Sequence, residues 1–330
     1  MERIESPVYR RLGNSGLVVP SVGIGCNNLG RPGTATLEQD GTDAVVHAAV
    51  DAGITFFDVA DIYGASPGLS EERLGRALGA DRDRIVLGTK FGMDMDGANG
   101  PDFGARGSRA YIVRAVEASL RRLGTDWIDL YQFHTPDPQT PIDETLAALD
   151  DLVRAGKVRY IGHSNRCGWQ IAQAEYVARE LGTERFVSAQ NHYNLLDRRA
   201  EQEVVPAAEE FGLGVFPYFP LANGLLTGKY SDGKAPEGSR LSHVRRNLVE
   251  DADREQLTAF GDFARTRDLT EVQVALGWLA AQGPVASVIA GATRPEQIEQ
   301  NVRAADWEPT EEDLAELDGI FPQVPKVALF

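Results

Sequence analysis

The length, composition and charge of the chain exclude several classes of protein. Its 330 residues, 42% of them hydrophobic, suit one barrel of about 250 residues with insertions, and no apolar run approaches the roughly 18 residues of a membrane span. The net charge of −16 disfavours nucleic acids and anionic membranes as partners. Cys26 and Cys167 have no CxxC spacing, so we expect no disulfide framework. The first residues have no secretion signal, so we expect a cytoplasmic location.

Short apolar runs alternate with segments of helical periodicity along the chain. The first two runs, Tyr9–Leu12 and Leu17–Val19, flank Gly13–Gly16 and predict a hairpin that closes the floor of the fold. Eight strand–helix units then predict a parallel (β/α)₈ TIM barrel, and we expect residues 1–330 to form a single domain. The predicted strands are Val19–Gly25, Ile54–Asp58, Ile85–Lys90, Ile128–His134, Val158–Ser164, Val187–Asn191, Gly214–Pro220 and Ala286–Ala290.

Helix boundaries can be predicted from capping residues. Ser108, Thr36 and Thr270 are expected N-caps, and Thr36–Gln39 and Thr270–Gln273 have the spacing of capping boxes. The residues expected just past helix ends, where a left-handed conformation is favoured, are Gly53, Gly124 and Gly212.

Two connections are longer than ordinary turns, and both follow predicted strands. Gly92–Gly107 and Leu221–Leu248 therefore lie on the carboxyl face of the barrel, where barrel enzymes build their sites. Together with Gly30–Thr36 and Phe321–Phe330, they are expected to set substrate specificity. The aromatic residues expected to line the pocket are Trp169, Trp307, Phe91 and Phe219.

Polar side chains occur where the apolar strands end. Asp58 has the same parity as Phe56, so it is expected to point into the barrel, where a carboxylate needs a partner. Lys90 ends the next strand at the same level, and His134 ends the one after. Each residue alone has a structural explanation, as a helix cap, a rim lysine or a packed histidine. Their placement on adjacent strands favours a functional site.

Seven segments of the chain carry longer motifs. They are GITFFDVADIYGASPGLSEERLGRAL, IVLGTK, SLRRLGTDWIDLYQFHTPDP, GKVRYIGHSN, AQNHYNLL, GVFPYFPLANGLLTGKY and VIAGATRPEQIEQN. In these segments the chain resembles the aldo-keto reductase superfamily, with the motifs in the family's order from about Arg11 to Asn301. The resemblance is nearest to the branch of bacterial general reductases and potassium-channel β subunits.

This resemblance implies a catalytic tetrad of Asp58, Tyr63, Lys90 and His134. Reduction of a carbonyl leaves an alkoxide that needs a proton, and a phenol, with a pKa near 10, is a weak donor at neutral pH. The Lys90 ammonium is therefore expected to lower the pKa of Tyr63, while Asp58 pairs with Lys90. His134 is expected to hydrogen-bond the carbonyl oxygen and to orient the substrate.

The resemblance also implies a nicotinamide cofactor, bound without a dinucleotide fingerprint loop, since GIGCNNLG has no third glycine at the fingerprint spacing. Ser164, Asn165 and Gln190 would hold the carboxamide, and Tyr218 would stack on the nicotinamide ring. The residues expected at the pyrophosphate are Leu221, Gly224, Leu226 and Thr227, and those at the adenosine end are Gly291, Thr293, Arg294, Gln297 and Asn301.

The identity of the cofactor and of the partners follows less directly. Many family members that prefer NADP carry a lysine near the position of Gly291 and an arginine at the position of Gln297, both facing the 2′-phosphate. In this chain Arg294 is the cation that remains for a 2′-phosphate. NADPH is therefore predicted, with NADH as the alternative. The expected partner is a small carbonyl or alcohol substrate; the chain is also compatible with a homo-oligomer, and no metal site is predicted. The competing hypothesis is a regulatory module that binds the cofactor with little turnover.

Overall fold

A parallel eight-stranded sheet forms the centre of the protein. The computed structural model describes residues 7–230, 241 and 247–323, and the structural statements below concern these residues. The hydrogen-bonded order is β10-β3-β4-β5-β6-β7-β8-β9, and a bridge between Val215 and Val285 brings the two ends together. The strands are β1 (Tyr9–Arg11), β2 (Val18–Pro20), β3 (Val22–Gly25), β4 (Phe56–Asp58), β5 (Val86–Phe91), β6 (Ile128–Phe133), β7 (Val158–Ser164), β8 (Ser188–His192), β9 (Gly214–Tyr218) and β10 (Val288–Gly291).

Helices surround the sheet, as the periodicity predicts. The predicted caps at Ser108 and Thr270 are confirmed, because their side chains accept from Tyr111 N and Gln273 N. The described helices are α1 (Gln39–Asp51), α2 (Leu69–Leu78), α3 (Arg109–Leu123), α4 (Ile142–Arg154), α5 (Gly168–Leu181), α6 (Ala200–Phe211), α7 (Asn247–Glu250), α8 (Arg254–Arg265), α9 (Glu271–Ala280), α10 (Pro295–Ala304) and α11 (Glu311–Ile320).

The predicted cap at Thr36 is wrong. Thr36 lies inside a short 3₁₀ turn, Ala35–Leu37, and α1 begins three residues later with Glu38 as its N-cap. The Thr36 hydroxyl instead donates to Asn28 O at 2.6 Å. The side chain therefore stabilises the loop after β3 rather than a helix end.

The barrel interior is filled from strand and hairpin together. Phe56, Leu130 and Phe216 face inward and pack with Leu12 and Val19 of the antiparallel hairpin formed by β1 and β2. The prediction that the hairpin closes the floor is confirmed, but Val19 belongs to β2 and not to the first barrel strand. Apolar side chains therefore fill the floor end, whereas polar side chains occur at the carboxyl ends of the strands.

The long connections lie only partly within the described residues. Residues 92–108, between β5 and α3, are all described. Residues 231–240 and 242–246 of the predicted Leu221–Leu248 connection, and residues 324–330 of the predicted C-terminal segment, lie outside the described residues. Among the residues described, no helix has the length and apolar character needed to span a membrane.

Candidate active site

A buried ion pair lies inside the mouth of the barrel. Asp58 ends β4, Lys90 lies near the end of β5, and the Lys90 Nζ donates to Asp58 Oδ2 at 2.7 Å. The same ammonium donates to Val59 O at 3.0 Å, and the Lys90 residue is fully buried. Burial alone would lower the pKa of Lys90, but the Asp58 carboxylate raises it above its ordinary value, so the ammonium stays charged.

Tyr63 lies beside this ammonium. Its main chain is fixed in the turn after β4, since Tyr63 N donates to Ala60 O at 3.1 Å and Ser70 N donates to Tyr63 O at 3.1 Å. The Lys90 Nζ is 3.5 Å from the Tyr63 hydroxyl. Burial raises the pKa of Tyr63, and the Lys90 charge offsets only part of that rise, so the predicted net lowering is wrong for the protein without ligands. At neutral pH the hydroxyl therefore keeps its proton.

His134 follows β6 and faces the tyrosine. The two rings meet edge to face, with centroids 5.8 Å apart. Burial and then the Lys90 charge lower the pKa of His134 to about 3, so the imidazole is neutral at physiological pH. Its Nδ1 is buried and has no hydrogen-bond partner among the described residues. A neutral imidazole can donate one N–H to a substrate oxygen.

Two glutamines complete the environment of Asp58. Gln132 Nε2 and Gln190 Nε2 each donate to Asp58 Oδ1 at 3.0 Å. Gln190, predicted to hold a carboxamide, thus has its amide nitrogen on the carboxylate. The role of Gln132 was missed, although its parity with Leu130 in β6 indicates an inward side chain. Its Oε1 is buried without a partner among the described residues.

Ser164, Asn165 and Tyr218 form one connected polar group. The Tyr218 hydroxyl donates to Asn165 Oδ1 at 2.8 Å, and Asn165 Nδ2 donates to His134 O at 2.9 Å. The Ser164 hydroxyl donates to Gln190 O at 2.7 Å. Asn165 has a φ of 58°, a left-handed conformation that few residues other than glycine adopt. Its bonds to Tyr218 and to His134 O hold the Asn165 amide between β7 and β9.

The turn after β9 contains several residues with a positive φ. Phe219, Ala222 and Asn223 have φ values of 53°, 47° and 61°, and Gly224 has a φ of 110°. Such clustering of unfavourable backbone conformations is characteristic of functional sites. The side chain of Leu226 is fully buried in the core.

Several groups predicted to meet a pyrophosphate are bonded within this turn. Gly224 N donates to Leu221 O at 2.7 Å, Leu226 N donates to Leu221 O at 3.3 Å, and the Thr227 hydroxyl donates to Gly224 O at 2.7 Å. Contact of a pyrophosphate with these groups requires these internal bonds to be exchanged, and their role stays a prediction.

At the end of β10, Gln297 caps the helix that follows. Gln297 Oε1 accepts from Thr293 N at 2.7 Å and from Arg294 N at 3.2 Å. The Arg294 side chain is exposed, and Asn301 is buried on α10. Gly291 lies against Asn28, since a Cβ at position 291 would be 2.9 Å from Asn28 Nδ2.

Arg31 also belongs to this region and was missed. Its Nη1 donates to Asn28 Oδ1 at 3.1 Å, and Asn28 Nδ2 donates to Ala292 O at 3.5 Å. A basic side chain from the loop after β3 therefore lies beside the end of β10. The sequence separation, more than 250 residues, gives no local signal of this proximity.

Two of the predicted wall aromatics do not face the site. Phe91 is fully buried and stacks on Tyr131 and Phe133, and Trp307 packs against Phe263 and close to Gly277. Phe219 does lie near the mouth, edge-on to Tyr218. Trp169, at the start of α5, is 62% exposed.

Comparison with known proteins identifies the class. The Aldo/keto reductase family model matches residues 21–321, which is almost the whole barrel. The chain therefore belongs to the aldo/keto reductase family. Enzymes of this family are oxidoreductases that reduce carbonyl groups with a nicotinamide cofactor, and this is the activity of the chain.

Individual relatives are similar to this chain over most of their lengths. A Bacillus subtilis protein described as an uncharacterized oxidoreductase is 38% identical over 95% of this chain and 96% of its own. The L-glyceraldehyde 3-phosphate reductase of Escherichia coli K12 is 34% identical, with 92% and 89% covered. A probable voltage-gated potassium channel subunit beta of Oryza sativa subsp. japonica is also 34% identical, with 96% and 98% covered. The regulatory alternative is not favoured.

Proposed function

We propose that Tyr63 donates the proton when a carbonyl is reduced and that Lys90, Asp58 and His134 support this step. The bound nicotinamide cofactor would supply the hydride. The observation that carries the proposal is the position of the Lys90 ammonium, 3.5 Å from the Tyr63 hydroxyl and 2.7 Å from Asp58 Oδ2. A charge fixed at this point stabilises the phenolate that forms as the proton leaves.

The rest of the tetrad has complementary roles. Asp58 neutralises the buried ammonium and holds it in place, because its other oxygen is fixed by Gln132 and Gln190. Neutral His134 would donate to the carbonyl oxygen and orient it toward the Tyr63 hydroxyl. The protonated state of Tyr63 at neutral pH is the state that a proton donor needs.

The mouth of the barrel has features that fit a nicotinamide cofactor. Gln132 Oε1 and Asn223 Oδ1 are buried acceptors without partners among the described residues, and a bound amide or hydroxyl would satisfy such groups. Tyr218 offers an aromatic face next to the polar group of Ser164 and Asn165. These residues would hold and orient the ring, while Leu221, Gly224, Leu226 and Thr227 would bind the pyrophosphate.

We propose NADPH as the preferred cofactor, with Arg294 at its 2′-phosphate. Arg294 is exposed at the N-terminus of α10, where backbone polarity also favours an anion. Gln297 is committed to capping this helix, and Gly291, Thr293 and Asn301 would contact the adenosine around it.

The ratio of NADPH to NADH affinity tests this choice. Arg294→Ala is expected to weaken NADPH binding by about tenfold and to leave NADH binding within about twofold. Arg303→Ala, at the other end of the same helix, is the matched control and should change neither. Equal losses for both cofactors would show that Arg294 does not contact the 2′-phosphate.

The activity itself is tested by oxidation of NADPH at 340 nm against a panel of aldehydes and ketones. The unmodified protein should turn over at least one of them, and Tyr63→Phe should lower kcat by about 10²- to 10⁴-fold. Cofactor affinity should not change, because the hydroxyl acts on the substrate. Equal rates in the two proteins would refute Tyr63 as the donor. Single-domain organisation, cytoplasmic location and oligomeric state stay predictions.

A further inference from the structure

The loop of residues 92–107 has buried ends, Gly92 and Gly107, and a middle part that is mostly exposed. Between Met93 and Phe103 only Met95 and Asn99 are buried, while Phe103 itself is 91% exposed. The main chain reverses repeatedly through left-handed residues, including Asp96 with a φ of 48° and Phe103 with a φ of 51°. A loop of this kind has little packing of its own, so its position depends on its buried side chains and on bonds such as that from Arg114 Nη2 to Pro101 O.

Asn99 is the polar anchor of this loop. Its side chain is buried, and its Nδ2 donates to Asp61 Oδ2 at 2.9 Å. Its Oδ1 accepts from Arg122 Nη1, on α3, at 3.1 Å. The amide thus joins the loop both to the turn after β4 and to an outer helix.

Asp61 lies two residues before Tyr63 and is fully buried. Its N–H donates to Lys90 O at 3.1 Å, and its carbonyl accepts from Gly68 N at 2.6 Å. The main chain of Asp61 is therefore bonded to the strand that carries the lysine and to the turn that carries the tyrosine. Its side chain extends the other way, to Asn99.

The groups around Asp61 act on its pKa in opposite directions. Burial and the neighbouring Glu71 carboxylate raise the pKa of Asp61 well above its ordinary value, whereas the Arg122 charge lowers it. Arg122 does not neutralise it fully, because Arg122 Nε donates to Glu71 Oε2 at 2.6 Å. Asp61 Oδ1 has no partner in the described part of the chain. The hydrogen bond from Asn99 therefore satisfies one of the two side-chain oxygens of Asp61.

We propose that Asp61 and Asn99 are positioning residues that fix the loop of residues 92–107 relative to Tyr63 and so determine which carbonyl substrates fit the site. The proposal rests on the proposed function. The loop follows β5, whose Lys90 faces the mouth, so it lies on the face of the barrel where the substrate must enter. Its displacement would change the substrate pocket without removing a tetrad residue.

Cleavage by chymotrypsin after Phe103 tests the anchoring without any turnover. Asn99→Ala should increase the rate of cleavage at Phe103 by about tenfold, because opening of the loop becomes easier by about 1.4 kcal/mol. Asp96→Asn, an exposed change in the same loop that tolerates a left-handed backbone, is the matched control and should cleave like the unmodified protein. An unchanged rate in Asn99→Ala would overturn the proposal.

Steady-state kinetics with a small and a bulky aldehyde test the coupling to substrate selection. Asn99→Ala and Asp61→Ala should change the ratio of kcat/KM for the two aldehydes by about tenfold, mainly through KM, with KM for NADPH within about twofold. Asp61→Asn should restore most of the ratio, since an amide oxygen can accept from Asn99 in the same place.

A purely structural role would predict something else. It would lower the melting temperature and change kcat/KM for both aldehydes and KM for NADPH by similar factors. That result would overturn the proposal. Absence of turnover in the unmodified protein would contradict the proposed function instead, and the cleavage experiment would still decide whether Asn99 anchors the loop.

Discussion

Two buried ion pairs lie at opposite ends of the barrel strands. Lys90 and Asp58 occupy the mouth, at 2.7 Å, and Arg82 and Asp129 lie at the start of β6, at 2.9 Å. Both pairs remove charges from water at comparable cost. They differ in how completely their neighbours are satisfied.

The floor pair is fully bonded. Arg82 donates from each of its nitrogens, for example to Trp127 O at 2.8 Å and to Thr125 Oγ1 at 3.1 Å. Asp129 accepts from Leu87 N at 3.0 Å and pairs with Arg159 at 3.1 Å as well. Such a cluster stabilises the fold and leaves nothing for a ligand.

The pair at the mouth has unsatisfied neighbours. Gln132 Oε1 and His134 Nδ1 are buried without partners among the described residues, and the Tyr63 hydroxyl lies at the limit of hydrogen-bonding distance from Lys90. Leaving polar atoms unbonded destabilises the fold, and at the mouth a bound ligand would satisfy such atoms. The two ion pairs therefore differ in the bonding of the atoms around them.

Removing the lysine or the arginine is expected to give the largest effects. Lys90→Met leaves Asp58 buried without a counter-charge and should lower the free energy of unfolding by about 3–5 kcal/mol. The same change should lower kcat by about 10²- to 10⁴-fold. Arg82→Met is the matched variant; Asp129 keeps Arg159, so we expect a loss of about 1–3 kcal/mol and an unchanged kcat. Urea unfolding measures the free energy of unfolding of each variant, and NADPH oxidation measures its kcat. A similar loss of kcat in the two variants would contradict the comparison.

The pH dependence of stability gives a smaller effect. His134 has a folded-state pKa of about 3 against 6.5 in the unfolded chain, so the unfolded state binds the extra proton between these values. Stability therefore falls as the pH is lowered through this window. From pH 7 to pH 5 the unmodified protein should lose about 2 kcal/mol more than His134→Gln. An equal change in the free energy of unfolding between pH 7 and pH 5 in the two proteins would show that His134 is not buried as a neutral imidazole.

Gln132→Leu is expected to give the smallest effect. The change removes one donor to Asp58 but also removes the buried, unpartnered Oε1, so the two contributions to the free energy of unfolding should cancel to within about 1 kcal/mol. The rate should fall by about three- to tenfold, because Asp58 holds Lys90 less firmly. Stability would be measured by urea unfolding and kcat by NADPH oxidation. A large loss of stability with full activity would show that Gln132 stabilises the fold and does not support catalysis.

The sequence predicts the barrel well because the relevant pattern is local. Each strand is a short apolar run, and the parity of Asp58 with Phe56 correctly indicates an inward carboxylate. Ser108 and Thr270 cap helices as their spacing indicates. Thr36 has the same spacing, yet its hydroxyl donates to Asn28 O in the loop after β3 and caps no helix.

The parts of the site that sequence reasoning missed depend on contacts distant in the chain. Gln132 reaches Asp58 across 74 residues, and Arg31 reaches the end of β10 through Asn28. The net pKa of Tyr63 was expected to fall because Lys90 is close, but burial outweighs that charge. Burial of a given atom depends on the whole packed structure, and no local pattern reports it.

A crystal structure with bound NADP⁺ and a carbonyl inhibitor would test the central claim most directly. We expect the carbonyl oxygen about 2.5–3.0 Å from the Tyr63 hydroxyl and within hydrogen-bonding distance of His134, with the ammonium of Lys90 behind the tyrosine. A carbonyl oxygen bound elsewhere, with the Tyr63 hydroxyl turned from it, would contradict the role of Tyr63 as the proton donor.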